Sequence, residues 1–304
     1  MSLQAINITK KYGTQKALNS VSFEIKTGEV VGFLGPNGAG KSTMMKIISG
    51  YIHQNSGNVK VNGFDTKDDI KSIKKQIGYL PEHNPLYLDM YVKEYLNFIS
   101  KVYELKGNIK TRVNDLIEIT GLSEEKNKKI GALSKGYRQR TGLAAALIHE
   151  PAVLILDEPT TGLDPNQIIE IRNLITKVGK EKTVMLSTHI MQEVEAICNR
   201  VIIINNGEII AENSVSKIQE MSLQNKQAII VEFANEVKST MLMQVEGVEN
   251  IIQNSEKTFI LETNIETDIR ANVFNFAVAN QLVLLSMYKK DRSMEDVFRE
   301  LTKK

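Results

Sequence analysis

Val30-Val31-Gly32-Phe33-Leu34-Gly35-Pro36-Asn37-Gly38-Ala39-Gly40-Lys41-Ser42-Thr43-Met44-Met45-Lys46-Ile47-Ile48-Ser49-Gly50 passes from an apolar run, through a glycine-rich turn, into a helical pattern. A continuous apolar run suits a strand buried on both faces of a parallel sheet. Gly50 reads as the C-cap of the helix. Between the two, Gly35 to Ser42 fits G-x-x-x-x-G-K-[ST]. In that pattern the glycines let backbone N–H groups turn inward around phosphate oxygens. Lys41 reaches the β and γ phosphates, and the Ser42 hydroxyl ligands Mg²⁺. The helix adds the positive end of its dipole. Strand, loop and helix occur in the order the mechanism needs, so the stretch predicts nucleoside-triphosphate binding. It does not say which NTPase.

Working outward, LQAINI and ALNSVSFEIK alternate with period two and predict antiparallel strands before the loop. After it come strand GNVKVNGF, helix DIKSIKKQ and strand IGYLPE. From about Tyr91 to Leu147 the pattern is helical only, which predicts an all-α insert at about 91–147. Strand AVLILD, helix NQIIEIRNLITKV, strand TVMLST, helix MQEVEAIC and strand RVIIINN restore the alternation expected of a parallel sheet. Beyond about Val215 the order is β-α-β-β-α-β, a split ferredoxin-like arrangement, with a last helix capped by Ser293. The expected division is 1–220 and 221–304.

The composition bounds what the chain can be. With 304 residues and a formal net charge of +2, it lacks the basic excess of a dedicated nucleic-acid binder, so no nucleic-acid partner is expected. Its one cysteine, Cys198, allows no intrachain disulfide and reads as a small buried hydrophobe in a helical pattern. No apolar run approaches the ~20 residues of a membrane-spanning helix. The N-terminal MSLQAINITKKYG has no signal-peptide core. The expected location is cytoplasmic, with any membrane role reached by docking onto another chain.

Two further strand ends carry chemistry. Val153-Leu154-Ile155-Leu156-Asp157-Glu158-Pro159 is an apolar strand ending in two acids. Neighbours on a strand face opposite ways, so the acids can take different tasks. Asp157 can hold Mg²⁺, directly or through water, leaving Glu158 to orient or deprotonate the attacking water. Ser187-Thr188-His189 ends the next strand and offers a histidine to the γ phosphate.

The segment Leu133-Ser134-Lys135-Gly136-Tyr137-Arg138-Gln139-Arg140 resembles the LSGGQ signature that ABC ATPases place about twenty residues before their acidic strand. The motif order over about residues 1–220 is similar to an ABC nucleotide-binding domain. It runs from Walker A at 35–42 through the signature at 133–137, Walker B at 153–158 and the D-loop Gly162-Leu163-Asp164 to the switch His189. The resemblance implies an α/β P-loop NTPase core of the ABC ATPase kind, with an antiparallel β subdomain and an all-α insert. A C-terminal ferredoxin-like α+β domain would follow.

By the same resemblance, ATP and Mg²⁺ are the cofactors, Gly35, Pro36, Asn37, Gly38, Ala39, Gly40, Lys41, Ser42 and Thr43 hold phosphate, and Tyr12 stacks on adenine. Ser134 and Gly136 would act in trans, on the nucleotide of a second copy or a paralogous subunit. Ser42, Asp157 and Glu82 would face the metal, and Glu158 and His189 would be catalytic. Lys135 and Tyr137 depart from the commonest signature. Glu82 stands where most members carry glutamine, and a carboxylate binds Mg²⁺ differently from an amide.

LSKGYRQR, YLPE and S-M-E-D-V-F resemble the exporter branch with ABC-2 type permeases. The stretches Gly78 to Tyr87 and Ser187 to Glu195 are similar to the ATP-binding subunit of the gliding-motility ABC transporter. The implied partner is an integral membrane permease that holds the chain peripherally at the inner face of the cell membrane. A soluble ABC ATPase of translation or DNA repair is the alternative. Translation-type members carry two nucleotide domains where this chain has one, and repair-type members insert a long coiled coil where this insert has about 57 residues. A P-loop protein without turnover would not need both Glu158 and His189. Tyr87, Tyr91 and Tyr95, at i, i+4 and i+8, read either as ordinary packing or as a groove wall for a permease helix.

Overall fold

The computed structural model describes residues 2–66, 70–221, 227–263, 268–290 and 294–302. Ser293, the expected cap of the last helix, lies outside the described residues. The chain divides into a unit of residues 1–215 and a unit of residues 216–304.

In chain order the first unit contains β1 (Leu3–Tyr12), β2 (Gln15–Ile25), β3 (Val30–Leu34), α1 (Lys41–Ile48), β4 (Ser56–Val61), β5 (Phe64–Asp65), α2 (Ile70–Gln76) and β6 (Ile77–Leu80). The insert follows as α3 (Val92–Val102), α4 (Ile109–Ile119), a 3-10 turn at Ile130–Ala132 and α5 (Lys135–Leu147). The unit closes with β7 (Val153–Asp157), α6 (Pro165–Gly179), β8 (Thr183–Thr188), α7 (Met191–Ile197), β9 (Arg200–Asn205) and β10 (Glu208–Ser214).

Two sheets form. The first is antiparallel, in the order β2-β1-β4-β5. The second has the order β10-β9-β3-β8-β7-β6 and is parallel except at β10. Every residue of β3, β7 and β8 is buried, as a strand covered on both faces must be. Both sheets and α1 share one core, in which Met44, Met45, Ile47 and Ile48 pack with Leu18, Phe23 and Phe33. The Phe23 and Phe33 rings lie 5.6 Å apart. Because α1 is wedged in this core, its first turn is fixed against the end of β3.

The expected parallel sheet forms, with an antiparallel strand added at its edge. β10 pairs antiparallel with β9 through the turn Asn206-Gly207, where both residues have positive φ. Asn-Gly between apolar runs is the strongest short-range hairpin signal. β10 alternates half-buried with exposed positions, which suits an edge strand.

The insert is helical where the sequence predicts it, but the tyrosine register is not. Tyr87 precedes α3, Tyr91 caps it, and Tyr95 alone is in the helix and buried. Tyr87 folds back onto Tyr95 and Phe98, with ring centroids 6.1 and 5.6 Å away. The chain runs through Tyr87-Leu88-Asp89-Met90 as a turn, so an i, i+4, i+8 face never forms. Cys198 lies just past α7, buried beside Gly32, and burial pushes its thiol up to about 12.

Where β6 meets the segment after α5, His149 stacks on Tyr103 at 3.9 Å between ring centroids, with Nε2 3.0 Å from the Ile77 carbonyl. Burial lowers its pKa from 6.5 to about 4, with Lys182 and Arg112 acting in the same direction against the Ile77 hydrogen bond. The folded state therefore favours neutral imidazole, and the unfolded chain takes up the proton first as pH falls. This contribution is complete above about pH 6.5 and is lost towards pH 4, by at most about 3 kcal/mol. Thermal melting from pH 7 to 4 is expected to show that loss, with a shallower pH slope in His149→Gln. Equal slopes in the two proteins would contradict it.

Beyond α8 (Val215–Met221), the second unit contains β11 (Gln227–Phe233), α9 (Ser239–Leu242), β12 (Asn250–Gln253), β13 (Thr258–Thr263), α10 (Arg270–Ala279), β14 (Leu284–Lys290) and α11 (Met294–Thr302). Its antiparallel sheet has the order β12-β13-β11-β14. Phe233 and Phe259 meet at 6.3 Å over a core closed by Leu242, Val273 and Ala277. The helix after β11 is a single turn of four residues.

Candidate active site

The carboxyl ends of β3, β8 and β7 lie side by side. Leu34 pairs with Thr188, and Ser187 pairs with Asp157. The phosphate loop, the histidine and the two acids therefore emerge along one sheet edge, where open α/β sheets bind ligands.

The loop conformation depends on glycine. Gly38 and Gly40 have φ of 81° and 109°. A Cβ on Gly40 would lie 2.6 Å from the Ala17 carbonyl oxygen, so a side chain there would drive the loop off β2. Gly40 is the N-cap of α1 and supplies no capping side chain, which leaves first-turn N–H groups available to an anion. Lys41 is buried. Its Nζ donates to the carbonyl oxygens of Gly35 at 2.7 Å and Pro36 at 3.3 Å, and lies 3.5 Å from Glu158 Oε1.

Asp157 and Glu158 face different partners. Asp157 Oδ1 accepts from Ser42 Oγ at 3.1 Å and also from Ser187 Oγ. One hydroxyl and one carboxylate beside a phosphate loop fit Mg²⁺, a hard ion that takes few protein ligands and completes its shell with water and phosphate oxygens. Glu158 turns the chain with φ of 49°, a left-handed conformation that costs a non-glycine residue about 1–2 kcal/mol. It is held there by its own N–H, which donates to the Ser187 hydroxyl and carbonyl oxygens, each at 3.1 Å. Glu158 Oε2 lies 2.9 Å from His189 Nδ1 and accepts from Thr161 Oγ1 at 3.3 Å. With Nδ1 turned to Glu158, Nε2 is the ring nitrogen left to face a phosphate oxygen.

A cleft of about 480 Å³ opens here, its wall formed by Ala17, Asn37, Gly38, Gly40, Lys41, Ser42, Thr43, Glu82, Glu158, Thr161 and His189. Gly35, Pro36 and Ala39, of the same loop, and Asp157 are not among its lining residues. Glu82 thus stands in the same cleft as Ser42 and Lys41. Tyr12, Ser134 and Gly136 are not among its lining residues. Tyr12 is exposed at the end of β1, with Lys10 Nζ 5.2 Å from its ring centroid. Ser134 is the exposed N-cap of α5 and accepts from Tyr137 N–H at 3.3 Å. Gly136 is buried against the side chain of Gln167.

Ser187, Thr161 and Ala17 also belong to this site, though no motif singles them out. Ser187 was legible in principle, because a polar residue at the buried end of a strand needs a partner. Thr161 comes from a turn after β7, and Ala17 from β2, whose meeting with the phosphate loop joins separate segments of the chain.

Comparison with known proteins extends the geometry. Residues 18–161 match the ABC transporter family. Along 99% of its length the chain is 34% identical to 98% of the linearmycin resistance ATP-binding protein LnrL of Bacillus subtilis. It is 30% identical to the bacitracin transport ATP-binding protein BcrA of Bacillus licheniformis, covering 98% of this chain and 96% of that one. Among solved structures, the dimeric post-hydrolysis state of the ATP-binding cassette MJ0796 bound to ADP and Pi superposes with a TM-score of 0.65 at 28% identity. That match covers 70% of this chain and 98% of MJ0796. A phosphate loop set against paired acids, on a chain matched end to end by such relatives, makes this protein a member of the ABC transporter ATP-binding family, an ATPase that serves a transporter.

Proposed function

We propose that the chain hydrolyses ATP as one half of a nucleotide-sandwich dimer and drives an integral membrane permease of the ABC-2 export type. The observation that carries the dimer is the position of Ser134. It is exposed at the N-terminus of α5 and takes no part in lining its own chain's phosphate cleft. A second copy, or a paralogous subunit, would bring its Ser134 and Gly136 to this nucleotide. Relatives are named for linearmycin resistance, bacitracin transport and Nod factor export, which favours export over a soluble role in translation or repair. The narrower likeness to the gliding-motility subunit rests on residues 78–87 and 187–195 alone.

In this reading Lys41 and the loop N–H groups neutralise and align the phosphates. Glu158 accepts the proton of the attacking water, and His189 holds the γ phosphate while hydrogen-bonded to Glu158. Ser42 and Asp157, with Glu82 at the cleft wall, would hold Mg²⁺, which when bound offsets charge developing on the transferred phosphoryl group. The second unit, with helices after its first and third strands and the order β12-β13-β11-β14, we read as ferredoxin-like and as an accessory to the dimer.

Among the described residues no helix is long and apolar enough to cross a membrane. In this reading the permease holds the chain at the inner face of the membrane. Affinity purification of the full chain from solubilised membranes of its source cells is expected to retain a polytopic membrane protein. Recovery with ribosomes or DNA-repair factors, and no membrane protein, would favour the soluble alternative.

A further inference from the structure

We propose that Glu193 is a positioning residue for hydrolysis, tying the loop that carries Glu158 to the strand end that carries His189. Glu193 lies on α7 with 0% of its surface exposed. Its two carboxyl oxygens are divided between two threonines. Oε1 accepts from Thr160 Oγ1, and Oε2 accepts from Thr188 Oγ1 at 2.7 Å. Thr160 stands two residues beyond Glu158, and Thr188 directly precedes His189. Both threonines are themselves buried. Thr188 Oγ1 also accepts from Ile190 N–H at 3.1 Å, and Glu193 N–H donates to the Ile190 carbonyl at 3.2 Å, closing the turn around His189.

Among the described residues no lysine or arginine pairs with Glu193, so the threonine hydroxyls are the partners of a fully buried carboxyl group. An apolar side chain would fill that space without the desolvation cost. What the carboxyl group adds is a two-armed bridge between the chain after β7 and the end of β8.

That bridge acts where alignment is otherwise one-sided. Glu158 is fixed at its amide by the Ser187 hydroxyl and carbonyl oxygens, on the β8 side before Thr188. Its 2.9 Å contact with the half-exposed His189 has no such backbone clamp. The Thr160–Glu193–Thr188 bridge holds the same two segments together from beneath. Without it, two buried hydroxyls lose their acceptor and the acid and the histidine are free to separate. A displacement of about 1 Å at a reacting group costs on the order of 100-fold in rate. Lys41 and the phosphate loop belong to β3 and α1 and do not depend on this bridge, so nucleotide affinity should be spared.

The proposal rests on Glu158 and His189 serving as the hydrolytic pair, and the experiment separates the two. ATP is titrated against the full-length wild type, Glu158→Gln, Glu193→Ala, Glu193→Gln, Thr160→Val and the Glu193→Ala/Thr160→Val double variant, with thermal melting alongside. Glu193→Ala is expected to lower kcat roughly 10- to 100-fold with little change in KM. Glu193→Gln should recover most of the loss, because an amide can accept from one threonine hydroxyl and donate to the other. The double variant should be no slower than Glu193→Ala alone, since both changes break one bridge. A normal kcat in Glu193→Ala, a glutamine variant as slow as alanine, or independent losses in the double variant would overturn the proposal. If Glu193→Ala does not fold, Thr160→Val carries the test, and a normal kcat there overturns it. Turnover retained in Glu158→Gln would instead overturn the assignment of the hydrolytic pair.

Discussion

Glutamine at position 158 is expected to lower steady-state ATP hydrolysis by about 10²- to 10⁴-fold while leaving ATP binding in place. Glu158 is buried, turned out of the end of β7 in a left-handed conformation, and directed at Lys41 and His189. A buried carboxylate 3.5 Å from the phosphate-loop lysine stands where the γ phosphate and its attacking water must come. The amide keeps the shape and the capacity to hydrogen-bond His189 and Thr161, but it cannot accept the water's proton. It also removes a negative charge from beside the γ phosphate, so ATP should bind at least as well and the ATP-held dimer should persist. Turnover at saturating ATP and size-exclusion chromatography with ATP measure the two halves. A variant that hydrolyses normally, or that binds ATP and never dimerises, would remove Glu158 from this role.

Much of this site was readable because it is local. The phosphate loop lies within eight consecutive residues, and the strand before it is apolar because both faces are covered. Asp157 and Glu158 announce themselves as two acids at the end of a buried strand. What the sequence could not convey is how separate segments meet. The 2.9 Å approach of His189 to Glu158 joins residues 31 positions apart, and the Thr160–Glu193 bond joins residues 33 apart. Neither depends on any local pattern. Glu193 itself reads as one more acid on an amphipathic helix, and only the fold shows it buried.

Of the tyrosines, only the single helical face is absent, while Tyr87 packs on Tyr95 and Phe98. Period-four spacing from Tyr87 to Tyr95 mimics a helical face, but the chain turns at Leu88 to Met90 and the period crosses two kinds of structure. β10 is signalled by Asn206-Gly207, a two-residue hairpin turn, although RVIIINN alone reads as a strand that ends at Asn206.

Ser134→Arg and Lys41→Ala are expected to abolish turnover by different routes, and the difference tests whether one chain holds a complete site. Lys41 belongs to its own chain's cleft. Its ammonium is buried and lies within hydrogen-bond reach of the Gly35 carbonyl, so alanine removes the cation that would neutralise the phosphates. Monomer affinity for ATP should fall accordingly. Ser134 is exposed at the start of α5, where its hydroxyl caps the helix by accepting from Tyr137 N–H, and it does not line the cleft of its own chain. Arginine there loses that cap, worth about 1 kcal/mol, and places a bulky side chain on the surface the partner would meet. It leaves the phosphate loop untouched. The Ser134→Arg monomer should therefore bind ATP almost as the wild type does and fail to close onto a second copy. In the wild type, two chains make each site, so the hydrolysis rate should rise more steeply than linearly with protein concentration while the protein is largely monomeric. ATP titration of each variant as a monomer, with a concentration series for the wild type, distinguishes the cases. Equal loss of monomer affinity in both variants, or a strictly linear rate at monomeric concentrations, would mean that Ser134 serves its own chain's nucleotide and that the two-chain site is wrong.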